Sequence, residues 1–176
     1  MAATDRSPDN PNYLSPLGFR FVLTRTPLTN YYVQNATIPP MTLNTVEVPN
    51  PLITVPLPGD KLQFDPLTLT FMVDEDMKNY LEIYNWLVGL GFPENSKQRK
   101  DFMDSSPTFE KGFRGIMSDG TLYTLTSHQN VNVKTVFKDM FPVSLSDLTF
   151  DSTLTDVEYL KATVTFRYTS FTIEKM

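Results

Sequence analysis

Between Pro66 and Val73 two sets of side chains alternate: Leu67, Leu69, Phe71 and Val73 on one face against Thr68, Thr70 and Met72 on the other. The same two-residue period marks Phe19–Thr24. It returns over a longer run in which Leu160, Ala162, Val164, Phe166 and Tyr168 alternate with Lys161, Thr163, Thr165, Arg167 and Thr169. A period of two sends one set of side chains into a core and the other toward water, so these segments are half-buried strands. Further strands are predicted at Tyr31–Ile38, Thr121–Ser127, Asn130–Phe137 and Ser144–Phe150, with the last run extending over Glu158–Ile173. The turn Pro27-Leu28-Thr29-Asn30 is expected to join the first two strands in a hairpin. Fourteen prolines against seven glycines fit this reading, because proline cannot donate to a ladder and punctuates short strands.

One segment breaks the period. Met77, Tyr80, Leu81, Tyr84, Leu87 and Val88 form a helical stripe, with Asp74 as the expected N-cap and Glu75 and Asp76 in the first turn. Gly89, Gly91 and Pro93 stop it. Residues 94–115 read as polar and irregular. The fold class is therefore mainly β, a β-sandwich or partly closed β-barrel with one packed α-helix and a long inserted hairpin loop. With 176 residues there is one core to build: residues 1–17 form an extended N-terminal arm and 18–176 a single β domain.

The insertion runs from Pro39 to Asp60 and holds six prolines around two short strand-like pieces, Asn44–Val48 and Leu52–Val55. Connections this long inside a compact domain are usually functional. Pro39, Pro40, Leu43, Val46, Val48, Leu52, Ile53 and Val55 are the candidate contacts with another subunit, being too much apolar surface to leave in water on a chain that proline keeps extended.

Residue types exclude most chemistry. With no cysteine and a single histidine, His128 in a polar turn, neither thiolate chemistry nor a nucleophile elbow is available. No Gly-rich phosphate loop is present, and Asp74, Glu75 and Asp76 lack the spacing of a calcium loop and suit a helix start. Lys97, Arg99 and Lys100 lie close together but without interleaved aromatics, in a chain of net charge −5, so affinity for a phosphate backbone is not expected. Trp86 is expected in the core. No catalytic, cofactor-binding or metal-ligating residue is assigned, and the chain is not expected to be an enzyme. The N-terminus has no basic segment followed by an apolar run, and no stretch reaches the ~20 apolar residues of a membrane span, so cytoplasmic assembly without membrane contact is expected. A different class stays open: a β-sandwich carbohydrate- or receptor-binding module with Tyr31, Tyr32 and Tyr123 as its platform.

Three stretches in order resemble the tail tube proteins of contractile-tailed bacteriophages. They are Asn35-Ala36-Thr37-Ile38-Pro39-Pro40; then Ile53 through Asp60 with Phe64 and the strand Leu67–Phe71, leading to the helix bearing Trp86; and Phe141-Pro142-Val143-Ser144-Leu145, with Leu148, Phe150 and Asp151, before the closing strand Leu160–Tyr168. The resemblance implies a structural, virion-borne subunit that self-assembles as stacked hexameric rings, with the inserted loop reaching a neighbouring ring. It implies tail sheath, baseplate and tape-measure proteins as partners, with DNA only as passing cargo in the lumen. The arm 1–17 and the stretch 94–115 look extended relative to a minimal tube subunit, which leaves open a tube initiator or terminator ring.

Overall fold

The computed structural model describes residues 12–104, 113–153, 155 and 158–176. Its strands are β1 (Phe19–Leu23), β2 (Val33–Ala36), β3 (Met41–Val48), β4 (Val55–Phe64), β5 (Leu67–Met72), β6 (Ser118–Leu125), β7 (Val131–Leu145), β8 (Lys161–Arg167) and β9 (Ser170–Lys175). Its α-helices are α1 (Pro27–Tyr32), α2 (Lys78–Gly91) and α3 (Ser96–Asp104), with a 3-10 turn at Phe113–Ile116. All strand pairs are antiparallel, and the β-rich sandwich-like architecture expected from the alternation is the one found.

β7 belongs to two layers. Its first half pairs with β6 on one side and β9 on the other, giving the order β1-β6-β7-β9. Its second half pairs with β8, giving β7-β8-β5-β2. The bend lies at Lys138–Asp139, where the register jumps from Gly120↔Phe137 to Ser118↔Met140 and Asp139 takes a left-handed φ of 55°. An extra residue in a left-handed conformation is a bulge, which bends and twists a strand. Asp119 Oδ1 accepts the Asp139 N–H at 3.0 Å and fixes it. Gly120 faces the bend because a Cβ there would lie 2.4 Å from Met140 Sδ.

Between the layers sit the inward residues of the alternating runs, Leu67, Leu69 and Phe71 with Ala162, Val164 and Phe166, against Phe21, Leu23, Leu122, Phe137 and Phe171. Helix α2 adds Ile83 and Trp86 to the same core. The Trp86 ring stands 6.0 Å from that of Phe166, and its Nε1 donates to the Ile116 carbonyl at 2.9 Å. Buried Thr135 of β7 is a polar exception there: its hydroxyl, like that of buried Thr26, has no hydrogen-bond partner among the described residues. An unpaired buried hydroxyl costs about 1–3 kcal/mol. Thr135→Val is therefore expected to raise stability by about 1 kcal/mol, read from the denaturation midpoint; a loss would show that the hydroxyl has a partner.

Several boundaries differ from the sequence expectation. β1 pairs with β6 and not with β2, because Pro27–Asn30 opens α1 instead of turning a hairpin. The Asn30 carboxamide accepts the Leu23 N–H at 2.7 Å and donates to the Leu23 carbonyl at 3.0 Å, so a side chain occupies the edge position a partner strand would take. Asn130–Phe137 and Ser144–Leu145 are one strand, and the last run breaks at Tyr168–Thr169 into β8 and β9. Helix α2 starts at Lys78, so Asp74 is not its cap. Met77 precedes it at φ 55°, and the Asp74 carbonyl accepts the Met77 N–H in a separate turn. Buried Asn79 fastens that turn, donating to the Met72 carbonyl at 2.7 Å and accepting the Asp74 N–H at 3.2 Å. The stop holds: Phe92 is left-handed and its N–H returns to the Val88 carbonyl. The stretch read as irregular contains α3, which has no fully buried residue and whose inward face, Gln98, Arg99, Phe102 and Met103, is half polar and so gives no apolar stripe. It packs through Phe102 on Gly89, where a Cβ would come within 2.3 Å of the ring. Of the expected arm, residues 1–11 lie outside the described residues and 12–15 have no regular structure.

Candidate assembly surface

Among the described residues β3 and β4 pair only with each other, from Met41↔Phe64 to Val48↔Val55. The insertion is thus a hairpin, with strands longer than predicted. It is fixed at its root: the Phe64 ring packs 5.4 Å from Phe171 and 6.1 Å from Tyr168. There Tyr168 Oη donates to the Asp65 carbonyl at 2.7 Å, and the Asp65 N–H to the Pro40 carbonyl at 3.3 Å. Beyond the root every residue from Pro40 to Pro58 is exposed. Gly59 lets the strands approach where the register shifts, since a Cβ would lie 2.4 Å from the Asn44 carbonyl oxygen.

Of the eight contact residues expected from sequence, Pro39 is buried in the protomer itself and the other seven face water. Leu43, Val46, Val48 and Val55 lie along the strands. Leu52, 94% exposed, and Ile53, 67% exposed, stand in the bend at the tip. An isolated two-stranded hairpin is marginally stable in water, and this one carries its apolar side chains exposed.

The remaining candidates are not gathered into a chemical site. His128 is exposed beside Ser127, whose Oγ lies 3.3 Å from Nδ1, a contact between adjacent turn residues in solvent. Asp76 pairs with exposed Lys78, and among the described residues no group of three His, Asp or Glu could hold a metal. Lys97, Arg99 and Lys100 lie on α3 with Asp101 and Asp104, and the Arg99 guanidinium sits 5.7 Å from the Phe92 ring. Tyr31 packs edge-on against Tyr32, while Tyr123 lies on β6, with β1 between them. Trp86 is buried, as expected. One residue carried no sequence signal: Arg25 stacks 3.8 Å over Phe102, 5.4 Å from Trp86, and donates to the Gly115 carbonyl at 2.9 Å. Burial pulls its guanidinium down to about 10, and its role is to clamp α3 onto the core.

The first layer ends in two strands paired on one side only among the described residues, β1 and β9. Beside β1 lies a groove of about 560 Å³ lined by Phe19, Phe21, Pro27, Tyr31 and Val33. On the outward face Arg20, Tyr123, Lys134 and Glu174 stand in register, with Lys134 Nζ 3.5 Å from Glu174 Oε2.

The profile of the phage tail tube protein family matches residues 24–174, from the end of β1 through the hairpin to β9. The chain belongs to the phage tail tube protein family. As a tail tube family member it is a structural protein of the virion tail. Over 166 residues it is 27% identical to the tail tube terminator protein of Enterobacteria phage T4, covering 84% of this chain and 88% of that one. The tube terminating cap of the anti-feeding prophage superposes with a TM-score of 0.64 at 16% identity over 100% of both chains. A chain of the PVC sheath–tube complex, an extracellular contractile injection system in its extended state, gives 0.58 at 13% identity over 100% of this chain and 99% of that one. These two likenesses show a shared fold. The relatives are named as structural parts of tails and injection systems and not as enzymes. No described helix is long and apolar enough to cross a membrane.

Proposed function

We propose that the chain closes into a six-membered ring that terminates the tail tube, with the β3–β4 hairpin as an inter-subunit contact. The observation that carries this reading is its identity, over most of both chains, to a protein named tail tube terminator. The edges of the first layer, β9 and the part of β1 before Leu23, have no strand partner among the described residues on their outer side and support a ring independently. An unpaired edge templates another strand, and joining two different edges is a heterologous contact, which closes when the rotation fits. The number six, the sheath, baseplate and tape-measure partners, and DNA as passing cargo come from the family resemblance. A repeated tube subunit is the second reading, favoured by the description of the family itself.

The two readings part on growth. The purified chain is expected to sediment as one species at six times its 20.1 kDa mass across a wide concentration range, with rings on negative-stain grids. Tubes that lengthen with concentration would replace the terminator by the repeated subunit. A monomer throughout would overturn both.

A further inference from the structure

An apolar pocket of about 290 Å³ opens beside the second half of β7, lined by Leu90, Ile116, Met117, Phe141, Pro142 and Val143. It is far larger than the ~30 Å³ share of one water and has almost no polar lining, so it suits aliphatic side chains. We propose that it receives the hairpin tip, Leu52 and Ile53, of a second copy of this chain. The proposal rests on the ring reading above and assigns the surface on which that ring's hairpin lands.

Three observations converge on this occupant. In the order β7-β8-β5-β2 the pocket lies against β7 at one edge, and the hairpin leaves the layer between β2 and β5 at the other. One molecule thus carries the projection on one side and the receptacle on the opposite side, the arrangement a heterologous ring contact requires. Second, the register Leu67↔Phe166 and Phe166↔Pro142 sets the hairpin root and the pocket at one level of the layer, two strand spacings or about 10 Å apart. Eight residues of β3 reach roughly 27 Å, so the hairpin overshoots its own pocket and meets a neighbour's.

The third observation is charge. Glu47 is the one charged residue between Met41 and Gly59. Beside the pocket runs α3, which packs on α2 and on the 3-10 turn that supplies Ile116. Its Lys97, Arg99 and Lys100 stand beside Asp101, Asp104 and, at its start, Glu94, three cations against three carboxylates. The single carboxylate of the hairpin therefore meets individual α3 cations and not a basic surface, which fixes the direction of approach more than it adds affinity.

The chain has no cysteine, so a disulfide can report the contact cleanly. Full-length Ile53→Cys and Val143→Cys proteins, mixed under mild oxidation, are expected to form covalent heterodimers. The double variant is expected to form a ladder that stops at the ring. An assembled ring without a 53–143 bond would overturn the pocket assignment and leave the ring standing. A monomeric chain would overturn both, and an internal 53–143 bond in the double variant would show that the hairpin occupies its own pocket. Val143 is 52% exposed, so Val143→Glu is tolerated by the fold. It is expected to weaken assembly at least tenfold at unchanged Tm, and undiminished assembly would also overturn the assignment.

Discussion

Trp86→Ala is expected to destabilise the protomer by about 3–5 kcal/mol, the range for emptying a large aromatic site in a core. Trp86 is among the largest fully buried side chains. It touches the β8 ring of Phe166, lies under the Arg25 guanidinium and holds the Ile116 carbonyl. Removal leaves a void between α2 and the second layer, an unpaired carbonyl, and a half-buried cation without one of its ring partners. Against a total of about 5–15 kcal/mol for a domain, that is a large share. For a chain of this size it corresponds to a fall in Tm of roughly 6–20 °C. Trp86→Phe refills much of the space but leaves the carbonyl unpaired, so its loss should be smaller. A thermal melt of Trp86→Ala within about 2 °C of wild type would show that α2 is not part of the core.

The parts of this fold that announce themselves in sequence are those whose burial follows a fixed period. Leu67, Leu69 and Phe71 are all buried and alternate with half-exposed threonines, and β8 repeats the pattern opposite them. What was illegible depends on single side chains acting across the fold. Nothing near Asn30 tells that its carboxamide will take both outer backbone groups of Leu23 at the end of β1, where α1 begins instead of a hairpin. Asp74 looks like a cap by residue type, yet buried Asn79, five residues on, claims its N–H and moves the helix start. Helix α3 was hidden because it leans on the core through Arg25 and Phe102, a stacking contact that leaves no stripe. The candidate surface was readable for a different reason. Prolines at 40, 49, 51, 56 and 58 among exposed aliphatic residues describe a segment that cannot join a central sheet and does not belong in water.

Replacing Pro40–Gly59 by a short Gly-Ser linker is expected to leave the protomer folded and to abolish its assembly. The removed residues pair only within the hairpin, giving up Met41–Leu43 opposite Leu62–Phe64 and the Pro40 carbonyl that Asp65 N–H uses, and all but Gly59 are exposed, so their loss takes no side chain from the core between the layers. The anchors that close the base, Phe64 on Phe171 and Tyr168 on the Asp65 carbonyl, lie outside the excised span. Circular dichroism of β type and a Tm within a few degrees of wild type should therefore persist. Assembly should respond quite differently. Leu43, Val46, Val48, Leu52, Ile53 and Val55 offer apolar surface that gains about 25 cal/mol per Å² when covered by a neighbour. The prolines lower the ordering cost of docking by restricting the free hairpin. Few other surfaces of the molecule combine that area with that rigidity, so a size measurement should show single chains at concentrations where wild type is a ring. Unfolding of the shortened protein would place the insertion within the core. A shortened protein that still closes would mean that the β1 and β9 edges alone hold the ring.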